Sequence, residues 1–332
     1  MANFSNTIGI DVSKDKIDVH DYKSNKHHIF KNNPEEHKKF LDWVKEKCNQ
    51  DLTGILFCFE NTGIYSLALS CFMEENKLAY SVVAGLEIKR SIGLTRGKND
   101  QIDACKIAEY AYLRRETIKL SQIPSKALLK LKELLTIREK MVKHRVAYQS
   151  HLKSLANFYE RRDAALLFES QEKVVGALNQ QIKTVEKEMK NLIEEADSIK
   201  QNYELATSVK GIGLILGLTI LVYSDNFSKF KTWRQFASYV GIGPFDYESG
   251  SSIKRGKKVS NLANKRIKGL LSNAVAVNIQ DSGEMRIYYQ KRVEEGKNKN
   301  LVKNIISNKV VARVFAVVKR GTPYVDIVSY AA

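Results

Sequence analysis

The sequence predicts an α/β domain followed by a mainly helical region, and three observations support this fold class. Short apolar runs with strand-like character occur in the first third, whereas apolar residues recur at helical spacing beyond Pro124. From Ser125 to Tyr159 there is neither glycine nor proline, which favours long helix. Because 332 residues exceed one ordinary compact core, we expect three segments, at 1–122, 123–200 and 201–332.

The first segment alternates strands with helices. Its predicted order is three strands, a helix, a strand, a helix, a strand and a helix. An α/β domain with this order of elements matches the RNase H-like nuclease fold. The predicted strands are 7–13, 17–22, 27–30, 54–60 and 79–83, and the helices lie near 36–44, near 65–75 and from 100 onward.

Four carboxylates occur where such a fold places an active site. Asp11 ends the first strand and Glu60 ends the fourth, while Asp100 and Asp103 are three residues apart on one helix face. Converging carboxylates raise one another's pKa, and divalent cations relieve this cost. Hard oxygen ligands suit Mg²⁺ or Mn²⁺, which can stabilise the attacking and leaving oxygens of a phosphodiester.

Each acid also has a structural interpretation. Asp11 could be a turn residue, Asp100 a helix N-cap, and Asp103 a first-turn acid favoured by the helix dipole. Glu60 is harder to explain this way, because it follows a wholly apolar strand at the edge where open sheets bind ligands. The four together are more specific than any one.

A basic stretch precedes the aspartate pair. Lys89, Arg90, Arg96 and Lys98 are interleaved with glycine and threonine, so we interpret 89–98 as a mobile loop that holds a nucleic-acid backbone. A solvated charged loop is the alternative.

The second segment carries two runs of leucine-like residues at heptad-like spacing, one before and one after 160–163. We predict a helical hairpin or coiled coil that mediates oligomerisation. An ordinary helical subdomain is the alternative.

The third segment opens with the glycine spacing of a helix-hairpin-helix turn. Lys210, Gly211 and Gly213 could bind phosphate through backbone N–H groups at a helix start, although a purely structural turn fits equally well. Helices are then predicted at 214–222, 227–240, from about 261, and at 302–318.

The stretch 244–256 carries three hydroxyls, those of Ser249, Ser251 and Ser252, between acidic and basic residues. We interpret it as a nucleophile loop, since a serine beside cations and a metal can attack phosphorus. A polar surface turn is the alternative. The basic residues expected to bind nucleic acid here are Lys254, Arg255, Lys257, Lys258, Lys265, Arg266 and Lys268.

Composition indicates a polyanionic partner. With 54 Lys and Arg against 37 Asp and Glu, the formal net charge is +17, which favours nucleic acid. No run of about 18 apolar residues predicts a membrane span, and the first residues do not form a signal peptide. We therefore expect a cytoplasmic, nucleoid-associated protein without a membrane partner.

With these residues in view, nearly the whole chain resembles the DEDD-type serine transposases and Piv-like DNA invertases, including bridge-RNA-guided recombinases. The combination of motifs is much more specific than any single one. The residues that carry the resemblance are Gly9–Lys14, Glu60–Tyr65, Asp100–Ala104 with Ile107–Glu109, Gly211–Gly213 and Tyr247–Ser252.

The resemblance implies a RuvC-like domain whose metal-binding tetrad is Asp11, Glu60, Asp100 and Asp103. It further implies that Ser249 forms a transient phosphoserine link to DNA, within a homodimer or homotetramer guided by a structured noncoding RNA. The segment 263–268 departs from the family pattern, with Lys268 where an arginine is usual, so its phosphate contact differs from the bidentate one of arginine.

Two other functions fit the same residues. In the first, the acids hydrolyse DNA with water and the serine stretch only binds phosphate. In the second, the chain is a nonenzymatic nucleic-acid scaffold and the acids are turn residues.

Overall fold

The computed structural model of the protein describes residues 4–47, 52–92, 99–249 and 253–326. These residues divide into two compact units, 1–123 and 124–332, each with its own core. The boundary lies one residue from the predicted end of the first segment. No helix in the described part of the chain has the length and apolar character needed to cross a membrane.

The first unit is built on a five-stranded mixed sheet. Its order is β3-β2-β1-β4-β5, with β1–β2 and β2–β3 antiparallel and β1–β4 and β4–β5 parallel. The predicted alternation of strands and helices is confirmed. The strands are β1 (Asn6–Val12), β2 (Lys16–Asp21), β3 (Lys26–Lys31), β4 (Ile55–Glu60) and β5 (Tyr80–Val83).

Four helices accompany this sheet, at α1 (Pro34–Lys47), α2 (Ile64–Glu75), α3 (Gly85–Ile92) and α4 (Asp100–Arg114). β1 and β4 are buried along nearly their whole length, because side chains cover both faces. Helix α3 was not expected: Lys89 and Arg90 lie on this helix rather than on a loop.

Helix α4 lies directly against β1 at Gly9. A Cβ on Gly9 would come within 2.3 Å of the Ala104 carbonyl oxygen and the Ala108 nitrogen, so only glycine allows this approach. One hydrogen bond reinforces the contact, from the Thr7 hydroxyl to the Ala108 carbonyl at 2.8 Å. The contact fixes the start of α4 beside the end of β1.

The second unit begins with two 30-residue helices, α5 (Lys126–Leu155) and α6 (Ala165–Glu194). They pack as an antiparallel hairpin, since Lys130 contacts Glu188 near one end and His151 contacts Gln171 near the other. At the base of the hairpin, Leu128, Leu131 and Met189 join the core of the helices that follow, and Phe168 and Ile182 are buried farther along α6. The hairpin was predicted as a separate segment ending at 200, but here it shares a core with those helices.

The remaining elements are α7 (Asp197–Thr207), α8 (Leu214–Tyr223), α9 (Trp233–Val240), β6 (Pro244–Ser249), β7 (Ile253–Val259), α10 (Lys265–Gln280), α11 (Glu284–Glu294) and α12 (Lys299–Arg320). Two predictions were wrong here. The helix expected from Phe227 begins at Trp233, because Asp225, Asn226 and Phe227 have positive φ. The expected serine loop is an antiparallel β6–β7 hairpin, in which Ser249 pairs with Ile253.

Candidate active site and nucleic-acid interface

Two of the predicted acids end neighbouring parallel strands. Asp11 follows Ile10, which pairs with Phe59 of β4, so Asp11 and Glu60 occupy the same edge of the sheet. The Glu60 carboxylate lies against Gly85 at the start of α3, where a Cβ would approach Oε1 to 2.0 Å. Glycine at position 85 therefore leaves the space that this carboxylate occupies.

The other two acids come from the first turn of α4. Asn99 is the N-cap, and its side chain accepts a hydrogen bond from the Gln101 N–H at 3.1 Å. Asp100 is therefore the first helical residue rather than the cap. Because α4 is held against β1 at Gly9, its first turn lies next to Asp11.

Proximity of these acids is visible in the electrostatics of Asp11. Partial burial, together with the negative charges of Asp100, Asp103, Asp18 and Glu60, raises the pKa of Asp11 to about 6. The structure thus brings all four predicted acids into one electrostatic neighbourhood. The ionised form of Asp11 is opposed by both burial and like charge.

Asp18 and Lys16 belong to the same neighbourhood and were not singled out from the sequence. Asp18 is buried on β2 directly opposite Asp11. The Lys16 ammonium lies 3.0 Å from the Asp18 carboxylate and 2.8 Å from that of Asp100. These two carboxylates raise the pKa of Lys16, so this lysine is a permanent cation within the acidic cluster. A short turn between β1 and β2 places Asp18 opposite Asp11, so the predicted hairpin could have identified Asp18.

The donor set fits a hard divalent cation in its chemistry, since every candidate ligand is a carboxylate oxygen. The side chains themselves are held by protein partners: Asp100 contacts Lys16, and Asp103 contacts Lys106 at 3.4 Å. Among the residues that the structure describes, no three His, Cys, Asp or Glu side chains are grouped closely enough to hold a metal ion. Lys16 and Lys106 thus partly neutralise the negative charge of these carboxylates, as a bound metal ion would.

The basic stretch before α4 is described only in part. Lys89 and Arg90 are on α3, and Arg90 lines an open cavity of about 350 Å³ together with Arg114 and Glu87. The predicted nucleic-acid-binding residues Arg96 and Lys98 lie outside the described residues.

Ser249 is the last residue of β6, and the antiparallel partner β7 carries Lys254, Arg255, Lys257 and Lys258. The backbone register places Glu248 opposite Lys254 and Tyr247 opposite Arg255. Four cationic residues therefore lie on the strand that pairs with the one ending at Ser249. Ser251 and Ser252, the other candidate nucleophiles, lie outside the described residues.

Two of the three predicted cations on α10 contact the protein itself. Arg266 donates to the Leu135 carbonyl at 2.8 Å and pairs with Glu139 at 3.0 Å, so it joins α10 to α5. Lys268 donates to the Gly241 carbonyl at 3.0 Å. Lys265 is exposed, as a nucleic-acid contact requires.

The Gly211–Gly213 turn packs against α10. Gly211 has φ +85°, and a Cβ there would approach the Asn278 amide nitrogen to 2.5 Å, so the position needs glycine for packing. Lys210 forms an ion pair with Asp281, and its carbonyl accepts from the Asn278 amide at 2.8 Å. Gly213 precedes α8 with open space around it. The structural interpretation thus accounts for Gly211 but not for Gly213.

Two family models match the chain in order. A transposase model of the DEDD, IS110 type matches residues 8–160, and a model described as the transposase IS116/IS110/IS902 family matches residues 203–290. The first contains all four acids, and the second contains Ser249 and the Gly211–Gly213 turn.

Known proteins agree with these matches. The chain is 23% identical over 325 residues to the pilin gene-inverting protein of Moraxella bovis, covering 96% of this chain and 97% of that protein. The pilin gene-inverting protein of Moraxella lacunata matches with the same identity and coverage. An uncharacterized insertion element IS110 protein of Streptomyces coelicolor is 23% identical over 154 residues, which is 46% of this chain and 38% of that protein.

The raised pKa of Asp11 predicts how stability depends on pH. Between about pH 4 and 6 this carboxyl is protonated when folded and ionised when unfolded, so the free energy of unfolding falls as pH rises through this window. In EDTA, Asp11→Asn should therefore raise the unfolding free energy of the first unit by about 1–3 kcal/mol at pH 7.5 and change it little at pH 4.

Urea denaturation followed by Trp43 fluorescence measures this, in a Trp233→Phe background so that only the first unit reports. Asp15→Asn, at an exposed acid of the β1–β2 turn, is the control for loss of one negative charge. A neutral or destabilising Asp11→Asn at pH 7.5 would contradict the description of the acidic cluster.

Proposed function

We propose that the chain breaks and rejoins DNA strands with a serine nucleophile, on the premise that it is a transposase or DNA invertase of the IS110 type, as its two family matches and its gene-inverting relatives indicate. Asp11, Glu60, Asp100 and Asp103 would hold a divalent cation, Mg²⁺ or Mn²⁺, against a DNA phosphodiester. The observation that carries this proposal is that Glu60, Asp100 and Asp103 all act electrostatically on Asp11.

The acids prepare the phosphodiester for attack. When bound, a divalent cation supplies charge stabilisation at the phosphoryl oxygens. The four carboxylates would hold that cation, and Asp18 remains paired with Lys16 and His27. Lys16 must release Asp100 if the Asp100 carboxylate is to become a ligand.

Ser249 is the proposed nucleophile. Its hydroxyl oxygen bonds to phosphorus, the bond from phosphorus to the 3′ oxygen breaks, and the serine proton is transferred overall to that leaving oxygen. Because one phosphoester replaces another, rejoining by the reverse attack needs no ATP. Support comes from the Glu248-Ser249-Gly250 motif and from the basic strand β7 beside it.

A structured noncoding RNA is the proposed guide, and DNA is the substrate. Support comes from the net charge of +17, which favours polyanionic partners, and from the resemblance to RNA-guided recombinases. The exposed Lys265 and the cationic β7 strand are the proposed contacts of the second unit.

Replacing the nucleophile tests this mechanism directly. Ser249→Ala should abolish denaturation-resistant protein–DNA adducts while DNA and RNA binding change less than about twofold, because one hydroxyl contributes little to a polyelectrolyte interface. Adducts are trapped on nicked substrates carrying the element ends, with and without RNA transcribed from the flank of the coding region.

Ser251→Ala and Ser252→Ala are matched controls and should retain the adduct. Adduct formation that survives Ser249→Ala would overturn the assignment, and DNA cleavage without any adduct in the wild type would establish the hydrolytic nuclease. Cleavage that survives Asp11→Ala would exclude a role for the acids. Adducts that form equally without RNA would remove the guide from the proposal.

Self-association through the distal half of the α5–α6 hairpin completes the proposal. Apolar side chains are unusually exposed there: Phe158 is 83% exposed and Leu166 is 78% exposed. A second copy of the chain, with the same two helices, would cover these side chains in a homodimer or homotetramer.

Polar substitution at the hairpin tip should dissociate this assembly. Phe158→Ser with Leu166→Ser should shift the sedimentation coefficient to that of the monomer, because the contact loses its apolar area. Leu301→Ser, at a 53% exposed leucine on α12, is the control. An unchanged sedimentation profile in the double variant would place the interface elsewhere.

A further inference from the structure

The chain enters the β6–β7 hairpin through Gly241 and Ile242, whose backbone carbonyl groups both accept hydrogen bonds from side chains of the helical core. Helix α9 ends at Val240, Gly241 turns the chain with φ +79°, and β6 begins at Pro244. Ile242, between them, is 1% exposed. The direction in which β6 leaves the core is therefore set at Gly241 and Ile242.

Side chains from two other helices bind these carbonyls. The Asn304 and Asn308 amides, one turn apart on α12, each donate to the Ile242 carbonyl oxygen at 2.9 Å. Lys268 of α10 donates to the Gly241 carbonyl at 3.0 Å. Both lone pairs of the Ile242 oxygen are thus used by side chains. We refer to Lys268, Asn304 and Asn308 as the root clamp.

The returning strand is fixed at the same place. After β7, the Asn264 N–H donates to the Tyr239 carbonyl at 3.1 Å, and the Asn264 amide donates to the Tyr239 hydroxyl at 3.2 Å. A Cβ on Gly241 would approach Cβ of Ala263 to 2.2 Å, so the two ends of the hairpin lie in contact. Both therefore rest on the last turn of α9.

The turn itself does not require the root clamp. The N–H groups of Gly241, Ile242 and Gly243 already bond to the Ala237 carbonyl, which closes the helix end. Three further donors on two helices restrain the carbonyl side of the same turn. These donors therefore bind the turn at the point where the hairpin leaves the core.

The angle at which the hairpin leaves the core matters because Ser249 lies seven residues beyond Ile242. At about 3.3 Å per residue the hairpin is a lever of roughly 20 Å, and a rotation of about 10° at its root moves the tip by roughly 4 Å. A nucleophile must lie within about 3–3.5 Å of its target, so such a rotation would prevent attack.

We propose that Lys268, Asn304 and Asn308 are positioning residues that fix the direction of the β6–β7 hairpin and thereby the position of Ser249. This inference rests on the proposed role of Ser249. It assigns to Lys268 a backbone contact within the protein in place of the phosphate contact expected from the sequence.

Hydrogen exchange measured by mass spectrometry on the full chain tests the root clamp independently of catalysis. Asn304→Leu with Asn308→Leu preserves side-chain size but removes both donors. It should accelerate exchange of the β6 and β7 amides by about tenfold while the amides of α9 and α12 exchange as in the wild type. Asn300→Leu, at an exposed asparagine in the first turn of α12, is the matched control and should leave the hairpin unchanged.

Lys268→Met provides a second variant that does not alter α12, and Lys268→Arg restores a donor. Amide exchange in the β6–β7 hairpin should be faster in Lys268→Met and close to the wild-type rate in Lys268→Arg. The yield of protein–DNA adduct should fall in Lys268→Met and recover in Lys268→Arg. Unchanged hairpin exchange in the asparagine variant and in Lys268→Met would overturn the root clamp. Faster exchange with full adduct yield would overturn its positioning role.

The two proposals fail separately. If Ser249→Ala retains adducts, the nucleophile is assigned wrongly, yet the exchange measurements still decide whether the root clamp restrains the hairpin. If hairpin exchange does not respond, the positioning role fails while Ser249 can still be the nucleophile.

Discussion

The candidate site depends on the contact between Gly9 and helix α4. Two backbone segments meet where a single methyl group would overlap the Ala104 carbonyl oxygen and the Ala108 nitrogen, each at 2.3 Å. Packing at this distance leaves little freedom for the helix to slide or tilt. The first turn of α4 is consequently held at the end of β1, and acids about 90 residues apart in the chain become neighbours.

A concentration of negative charge follows from this packing. Asp11, with burial and four acids raising its pKa, is unfavourable in its ionised form near neutral pH. The protein offsets part of this cost with Lys16 and Lys106, whose ammonium groups contact Asp100 and Asp103. Any metal that the proposed site binds must therefore compete with lysine for the same carboxylates.

Much of the first unit could be predicted from sequence because its strands are short apolar runs whose acids mark strand ends. The parallel pairing of β1 with β4 then brings Asp11 and Glu60 to one edge, as expected. The role of Gly9 could not be foreseen, since periodicity does not reveal which helix crosses a strand or how closely. The ion pairs of Lys16 also depend on side-chain direction, which spacing alone does not give.

The second unit was predicted less well for a related reason. The basic residues after the serine stretch were all interpreted as nucleic-acid contacts, yet Arg266 joins α10 to α5 and Lys268 binds the Gly241 carbonyl. The β6–β7 hairpin was interpreted as a loop because serine and glycine are typical of turns. In the structure, backbone pairing extends from Pro244 to Val259. The roles of Arg266 and Lys268 depend on hydrogen bonds between residues that are distant in the sequence, which local patterns do not predict.

Mn²⁺ binding by the Gly9→Ala variant, measured by electron paramagnetic resonance, tests the central claim most directly. Gly176→Ala is the matched control, because a Cβ there meets no atom within 4 Å, and Trp43 fluorescence in a Trp233→Phe background verifies that the first unit remains folded. We expect wild type and Gly176→Ala to bind Mn²⁺ alike, and Gly9→Ala to bind at least about tenfold more weakly, since displacement of α4 separates Asp100 and Asp103 from Asp11. Wild-type affinity in a folded Gly9→Ala variant would contradict the account.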